Sequence, residues 1–285
     1  MLYSLYELGH LSVAPLRIAA LMQSSVLRSP LNPIADTEIA RTAAAASDLF
    51  ESMTRRYRKP DWNLPTTVVN GVEVAVTPTE AWGTPWCKMV HFERDAEALV
   101  KARGERTDPT VLIVAPMSGH YATLLRDTVS AFIGEHEVYV TDWSDARMVP
   151  VIAGRFDLND YIDHVMGMLR ALGPGAHVVA VCQPGPLVLA AVSLMAQEDD
   201  PCAPATMTIM GSPIDARKSP TAPNKLAETR DLDWFKQNMI HTVPALYPGA
   251  FRRVYPGFVQ LASFMGMNLS RHVDAHNAYF QNLVK

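Results

Sequence analysis

Apolar residues recur at helical spacing from Leu11 to Leu27. Ser29-Pro30 and Asn32-Pro33 then interrupt them, and an Ala-rich run from Thr37 to Arg56 restores the period. Residues 1 to about 57 are therefore expected to be helical. An apolar helical face in a chain with 14 methionines suits either packing against the remainder of the protein or an interfacial anchor. Ordinary packing is the expectation.

Period-2 alternation follows. Thr66–Val69 and Val72–Val76 flank Asn70-Gly71, and Asn-Gly supplies the two positive φ angles of a tight hairpin turn. Lys88–Phe92 is predicted as a third strand. From Thr110 onward, short apolar runs alternate with longer helical ones. The predicted strands are Thr110–Val114, Glu137–Val140, His177–Val181 and Thr206–Met210, and the predicted helices are Tyr121–Ile133, Leu158–Leu172 and Pro184–Ala196. That rhythm describes a mostly parallel sheet covered on both faces, an α/β fold. After Pro213 a Pro-rich link leads into a stretch holding Trp234, Phe235, Tyr247, Phe251, Tyr255, Phe258 and Phe264, expected to be an aromatic helical cap or lid. The expected organisation is a helical segment over 1–60, an α/β core over 61–216 and a helical cap over 217–285.

Composition narrows the function classes. Hydrophobic residues make up 48% of 285, enough to bury a sizeable core and to exclude disorder. With 25 Lys and Arg against 29 Asp and Glu, the net charge of −4 offers no general basic field, so nucleic acid is not an expected partner. Cys87, Cys182 and Cys202 form neither a disulfide framework nor a zinc spacing. No metal-ligand cluster and no Gly-rich phosphate loop stands out, so no metal or organic cofactor is expected. The apolar stretch Leu11–Met22 contains Pro15 and Arg17 and reads as neither a secretory signal nor a transmembrane segment.

Candidate chemistry sits where strands meet helices. The run His177 to Val188 passes directly from a strand into a helix with Cys182 at the junction, as in a nucleophile elbow. Small Ala180 lets the turn close, Pro184 suits the first helical turn, and Gly185 permits helix to pack closely on strand. A thiolate there faces the positive end of the helix macrodipole. The competing reading is a buried structural cysteine. A second junction, Ala115-Pro116-Met117-Ser118-Gly119-His120-Tyr121, follows an earlier strand. In an α/β-hydrolase this loop donates one backbone N–H of the oxyanion hole and the residue after the nucleophile donates the other; here these are Met117 or Ser118, and Gln183. His120 either contacts substrate or caps the following helix. Asp142, Asp145 and Arg147 lie on the ligand-binding edge of the sheet or form a network that holds their loop.

Taken together, Met1–Leu8, Pro30–Pro33, the Ala115–Arg126 loop, Thr141–Pro150 and Val181-Cys182-Gln183-Pro184 resemble intracellular polyhydroxyalkanoate (poly(3-hydroxybutyrate)) depolymerases over nearly the whole chain. The resemblance implies a cytoplasmic α/β-hydrolase at the storage-granule surface. It implies a cysteine nucleophile, matching Cys182, that cleaves the polyester through an acyl-enzyme. The alternatives are a polyhydroxyalkanoate synthase relative and a non-catalytic granule-binding protein. Members of the family continue beyond this region into final strands that carry the acid and the histidine. The chain is therefore expected to be a truncated member whose sheet lacks those strands, with an open sheet edge that favours oligomerisation. His241, His272 and His276, with Asp215 or Asp274 to orient one of them, are the local substitutes for the base, and their spacing selects no pair.

Overall fold

The computed structural model describes residues 2–117, 121–218 and 220–285. Two helices come first, α1 (Leu2–Leu27) and α2 (Glu38–Thr54). Thr37 caps α2, its hydroxyl accepting from the Ala40 N–H at 3.2 Å. The small side chains of Ala40, Ala44 and Ala45 are buried, so that α1 lies close along α2.

The seven-stranded sheet has the order β1 (Thr66–Val69), β2 (Val72–Gly83), β3 (Cys87–Arg94), β5 (Glu137–Trp143), β4 (Thr110–Val114), β6 (His177–Val181) and β7 (Thr206–Met210). The first three strands form an antiparallel meander, β3 pairs antiparallel with β5, and β5, β4, β6 and β7 are parallel. The fold is α/β, as the alternation of runs indicated, and its mostly parallel sheet is consistent with the hydrolase-like architecture that the resemblance implied. Asn70 and Gly71 hold the turn between β1 and β2 at φ 48° and 80°, the pair of left-handed conformations expected of Asn-Gly.

Alternation along the central strands divides the core. Leu112, Val114, Val178 and Ala180 face α5 (Leu158–Leu172) and α6 (Gly185–Gln197), while Val111, Ile113 and Val179 face the opposite side, where Val129 and Ile133 lie. Asp157 and Asp160 form a capping box that starts α5 where the polar-to-apolar pattern changes.

Several elements differ from the sequence expectation. The sequence pattern does not show α3 (Ala96–Arg103): it buries no side chain and so carries no period, although Asp95 caps it and Gly104, at φ 75°, ends it. The region expected as one helix from Tyr121 is a 3-10 turn over Ala122–Leu125 followed by a short α4 (Arg126–Phe132). The C-terminal region is not purely helical. It contains α7 (Ala222–Thr229), α8 (Leu232–Asn238), a small antiparallel pair β8 (His241–Thr242) and β9 (Arg253–Val254), then α9 (Gly257–Met267) and α10 (Leu269–Val284). It packs on the N-terminal helices: α10 lies against α2, and Phe258 stacks on Tyr6 at 4.0 Å and meets Tyr3 edge-on at 5.4 Å.

The expectation of ordinary packing for α1 holds for one face only. Tyr3, Glu7, Ala20 and Ser24 are buried, whereas Leu8, Leu11, Pro15, Ile18, Met22 and Val26, at three- and four-residue spacing, form an exposed apolar stripe. A helix apolar around most of its circumference has more apolar surface than one neighbour can cover. Among the described residues, no helix is long and apolar enough to cross a membrane.

Candidate active site

The parallel strands place the candidate residues on one edge. After β4 the chain turns to β5 on one side, and later returns to β6 on the other, so the strand order reverses at β4. The crevice outside the carboxyl ends of strands at such a switch point is the usual ligand site of an open α/β sheet. The segment after β4 reaches Met117 there, and Cys182 follows β6 directly.

Cys182 has φ 66°, in the left-handed region. Four other described non-glycine residues share that sign of φ: Asn63, Asn70 and Asp199, of types that tolerate it, and Phe251. The strain is held by a tight local frame. The Cys182 N–H donates to the Met210 carbonyl at 2.8 Å, extending the β6–β7 ladder, and the Gly185 N–H returns to the Cys182 carbonyl at 3.3 Å. Pro184 adopts helical angles, and α6 starts at Gly185, one residue later than expected. A Cβ at Gly185 would collide with the Ser212 side chain, so glycine is required for α6 to meet the end of β7.

The three thiols occupy different surroundings. Cys87 is buried, and burial pushes its ionisation well above the ordinary thiol value. Cys202 is partly buried, and Cys182 is exposed at the head of α6. The reading of Cys182 as a buried structural cysteine is thereby overturned: the sharp turn projects the side chain out of the sheet rather than into it.

Met117 and Gln183, expected to supply the oxyanion donors, are brought together. The Met117 N–H donates to the side-chain Oε1 of Gln183 at 3.1 Å. The approach to Met117 is rigid, because the Ala115 N–H donates to Thr141 Oγ1 at 2.9 Å and Trp143 Nε1 donates to the Ala115 carbonyl at 3.1 Å. Ser118 and His120 lie outside the described residues.

None of the described histidines hydrogen-bonds to Cys182. His276 Nδ1 lies 2.7 Å from the His272 carbonyl within α10, and His241 has a buried Nε2 with no hydrogen-bond partner among the described residues. Asp215 pairs with Arg217 at 2.8 Å rather than with a histidine. His91 does face a carboxylate, Glu137, at 2.9 Å, but Glu137 begins β5 and so lies at the opposite end of the parallel strands from Cys182. On the loop after β5, Asp145 pairs with Arg147 at 2.8 Å, while Asp142 pairs with Lys59. The loop-holding reading of these groups therefore has its ion pairs, with Lys59 as a partner that sequence spacing did not reveal.

No curated protein sequence matches the chain. Residues 211–285, about a quarter of the chain, match the family model described as PHB de-polymerase C-terminus, a similarity to PHB depolymerases in a segment that holds none of the motifs that carried the sequence resemblance.

Proposed function

We propose that the chain hydrolyses the ester bonds of a stored polyhydroxyalkanoate through an acyl-enzyme on Cys182. The observation that carries this reading is the exposed thiol at φ 66° between β6 and α6, beside the Met117–Gln183 pair. Backbone strain at an exposed nucleophilic side chain is a recurrent property of reaction sites. The matched PHB de-polymerase C-terminal segment supports an ester substrate of this class.

In this mechanism the Cys182 thiolate attacks the ester carbonyl and forms a carbon–sulfur bond, and the carbonyl electrons move onto the oxygen. The backbone N–H groups of Gln183 and Met117 hold that oxyanion. The Gln183 side-chain oxygen, which occupies the Met117 donor at rest, turns away to admit it. The alkoxy carbon–oxygen bond then breaks, and the departing chain takes a proton from solvent water to leave as a hydroxyl end. Water, deprotonated by a histidine, attacks the thioester; the carbon–sulfur bond breaks, releasing a 3-hydroxy acid and regenerating the thiolate. His120 is proposed to contact substrate from the loop after β4.

The exposed stripe on α1 supports attachment to an apolar granule surface, where polymer would cover Leu11, Ile18 and Met22. Incubation with amorphous poly(3-hydroxybutyrate) granules, following soluble 3-hydroxy acid, tests the hydrolytic reading. Cys182→Ala is expected to lower the rate by about 10⁴-fold or more while leaving granule co-sedimentation unchanged. Absence of hydrolysis by the unaltered chain, with granule binding retained, would instead establish a non-catalytic granule-binding protein.

A further inference from the structure

A cleft of about 580 Å³ has six cationic side chains in its wall: Arg17, Arg55, Arg56, Arg58, Lys59 and Arg147. No carboxylate lines it among the described residues. Four of the cations are partnered from outside the wall, Arg55 by Glu51 at 3.6 Å, Arg147 by Asp145 at 2.8 Å, Arg56 by Glu7 and Lys59 by Asp142. Arg17 and Arg58 have no carboxylate partner among the described residues. Two positive charges are thus left facing the same space. The net charge of −4 conceals this concentration, which arises because α1, the Arg55–Lys59 segment and the loop after β5 meet.

Three of the cationic groups are also held in place. The Arg17 guanidinium donates to the Thr54 carbonyl at 2.6 Å and lies 3.2 Å from His10 Nδ1. Arg56 donates to the Tyr247 hydroxyl at 3.0 Å, and Arg55 lies over the Tyr57 ring at 4.5 Å. Burial first, and then the charges of Arg56 and Arg17, hold the basicity of His10 below the ordinary value. Such a cluster repels itself when empty and is relieved by an anion.

We propose that this cleft binds a small polyvalent anion of the phosphate class. Planar guanidinium forks present paired donors to tetrahedral oxyanions. Two uncompensated cations match a dianion or pyrophosphate; a monocarboxylate would leave one of them unpaired. Tyr121 follows the β4 loop, and Asp142, the Lys59 partner, lies near the end of β5. The cleft is therefore on the same sheet edge as Cys182, with β5 about two strand spacings, or about 10 Å, from β6. It is separate from the thiol, and the proposal stands whether or not Cys182 is a nucleophile.

Calorimetric titration of the full chain with inorganic pyrophosphate at fixed ionic strength tests this. A single saturable site is expected, with 3-hydroxybutyrate binding at least tenfold more weakly. Arg58→Gln is expected to weaken pyrophosphate about tenfold and Arg58→Lys much less, while Lys225→Gln, on α7, changes nothing. Arg58 is exposed and unpaired, so its replacement leaves the fold intact, which circular dichroism checks. Co-sedimentation with phosphatidic acid vesicles that pyrophosphate displaces would identify a lipid-borne phosphate as the source, and no co-sedimentation would identify the free anion. An absence of saturable heat, equal binding of the monocarboxylate, or an unaltered affinity in Arg58→Gln would overturn the proposal.

Discussion

The two ends of the parallel strands are built on opposite principles. At the amino end, Asp108 is fully buried and paired with Arg94 at 2.7 Å and with Arg103, and Arg94 also reaches Glu137. Each of these charges has an oppositely charged neighbour there. At the carboxyl end a thiol is exposed on a left-handed backbone, a donor is occupied by a neighbouring side chain, and two cations have no carboxylate partner among the described residues. The comparison shows where this molecule spends stability and where it stores it. The amino end is closed by ion pairs, while the carboxyl end combines backbone strain with an uneven charge, the combination that the proposed function uses.

The largest effect that would sharpen the contrast is at Asp108. Burial pushes its carboxyl pKa up, but hydrogen bonds from Arg103 and Arg94 outweigh this and hold it below the ordinary value. Because the folded pKa is the lower one, its stabilisation is complete above the unfolded value of about 3.9 and is lost as pH falls through the folded value. Asp108→Asn leaves the buried Arg103 without a carboxylate partner, while Arg94 keeps Glu137, and is expected to cost about 3–5 kcal/mol. Urea unfolding at neutral pH measures that loss. Repeating it below pH 4 should narrow the gap between variant and parent, and a pH-independent gap would remove the ion pairs from the account.

At the other end the expected signs reverse. Cys182→Gly relieves the left-handed backbone and is expected to raise stability by about 1 kcal/mol while abolishing hydrolysis. A thermal midpoint that falls instead would show that the elbow is not under strain. The smallest effect concerns Gln183→Ala, which removes the side-chain oxygen competing for the Met117 N–H. With a hydrogen bond of this kind worth about 1 kcal/mol, kcat/KM is expected to rise by up to about fivefold. A fall in kcat/KM would mean that the Gln183 side chain positions substrate rather than blocking it.

Much of this contrast was legible along the chain, and some of it was not. Thr110–Val114 and His177–Val181 are strands with the bounds that their apolar runs suggested, because strands buried on both faces carry no polar interruption to blur their ends, and the part-exposed edge strand Thr206–Met210 also has the suggested bounds. Leu158–Leu172 is likewise bounded by Asp157 and Gly173, local signals independent of tertiary context. By contrast, α3 buries nothing, and the extension of β2 to Gly83 depends on its pairing with β3 across a register shift between Glu80 and Trp82. Neither has a periodic signature.

The sequence by itself determined the alternation of strands and helices between Thr110 and Met210, the hairpin at Asn70-Gly71 and the position of Cys182 between a strand and a helix, since each follows from local periodicity or backbone preference. Only the tertiary structure decided that Cys182 takes a left-handed conformation and projects outward, that Gln183 reaches the Met117 N–H 66 residues away, and that Arg17 and Arg147 face Arg58 across one cleft. These are contacts between segments far apart in the chain, fixed by strand order and helix packing, which no local pattern encodes.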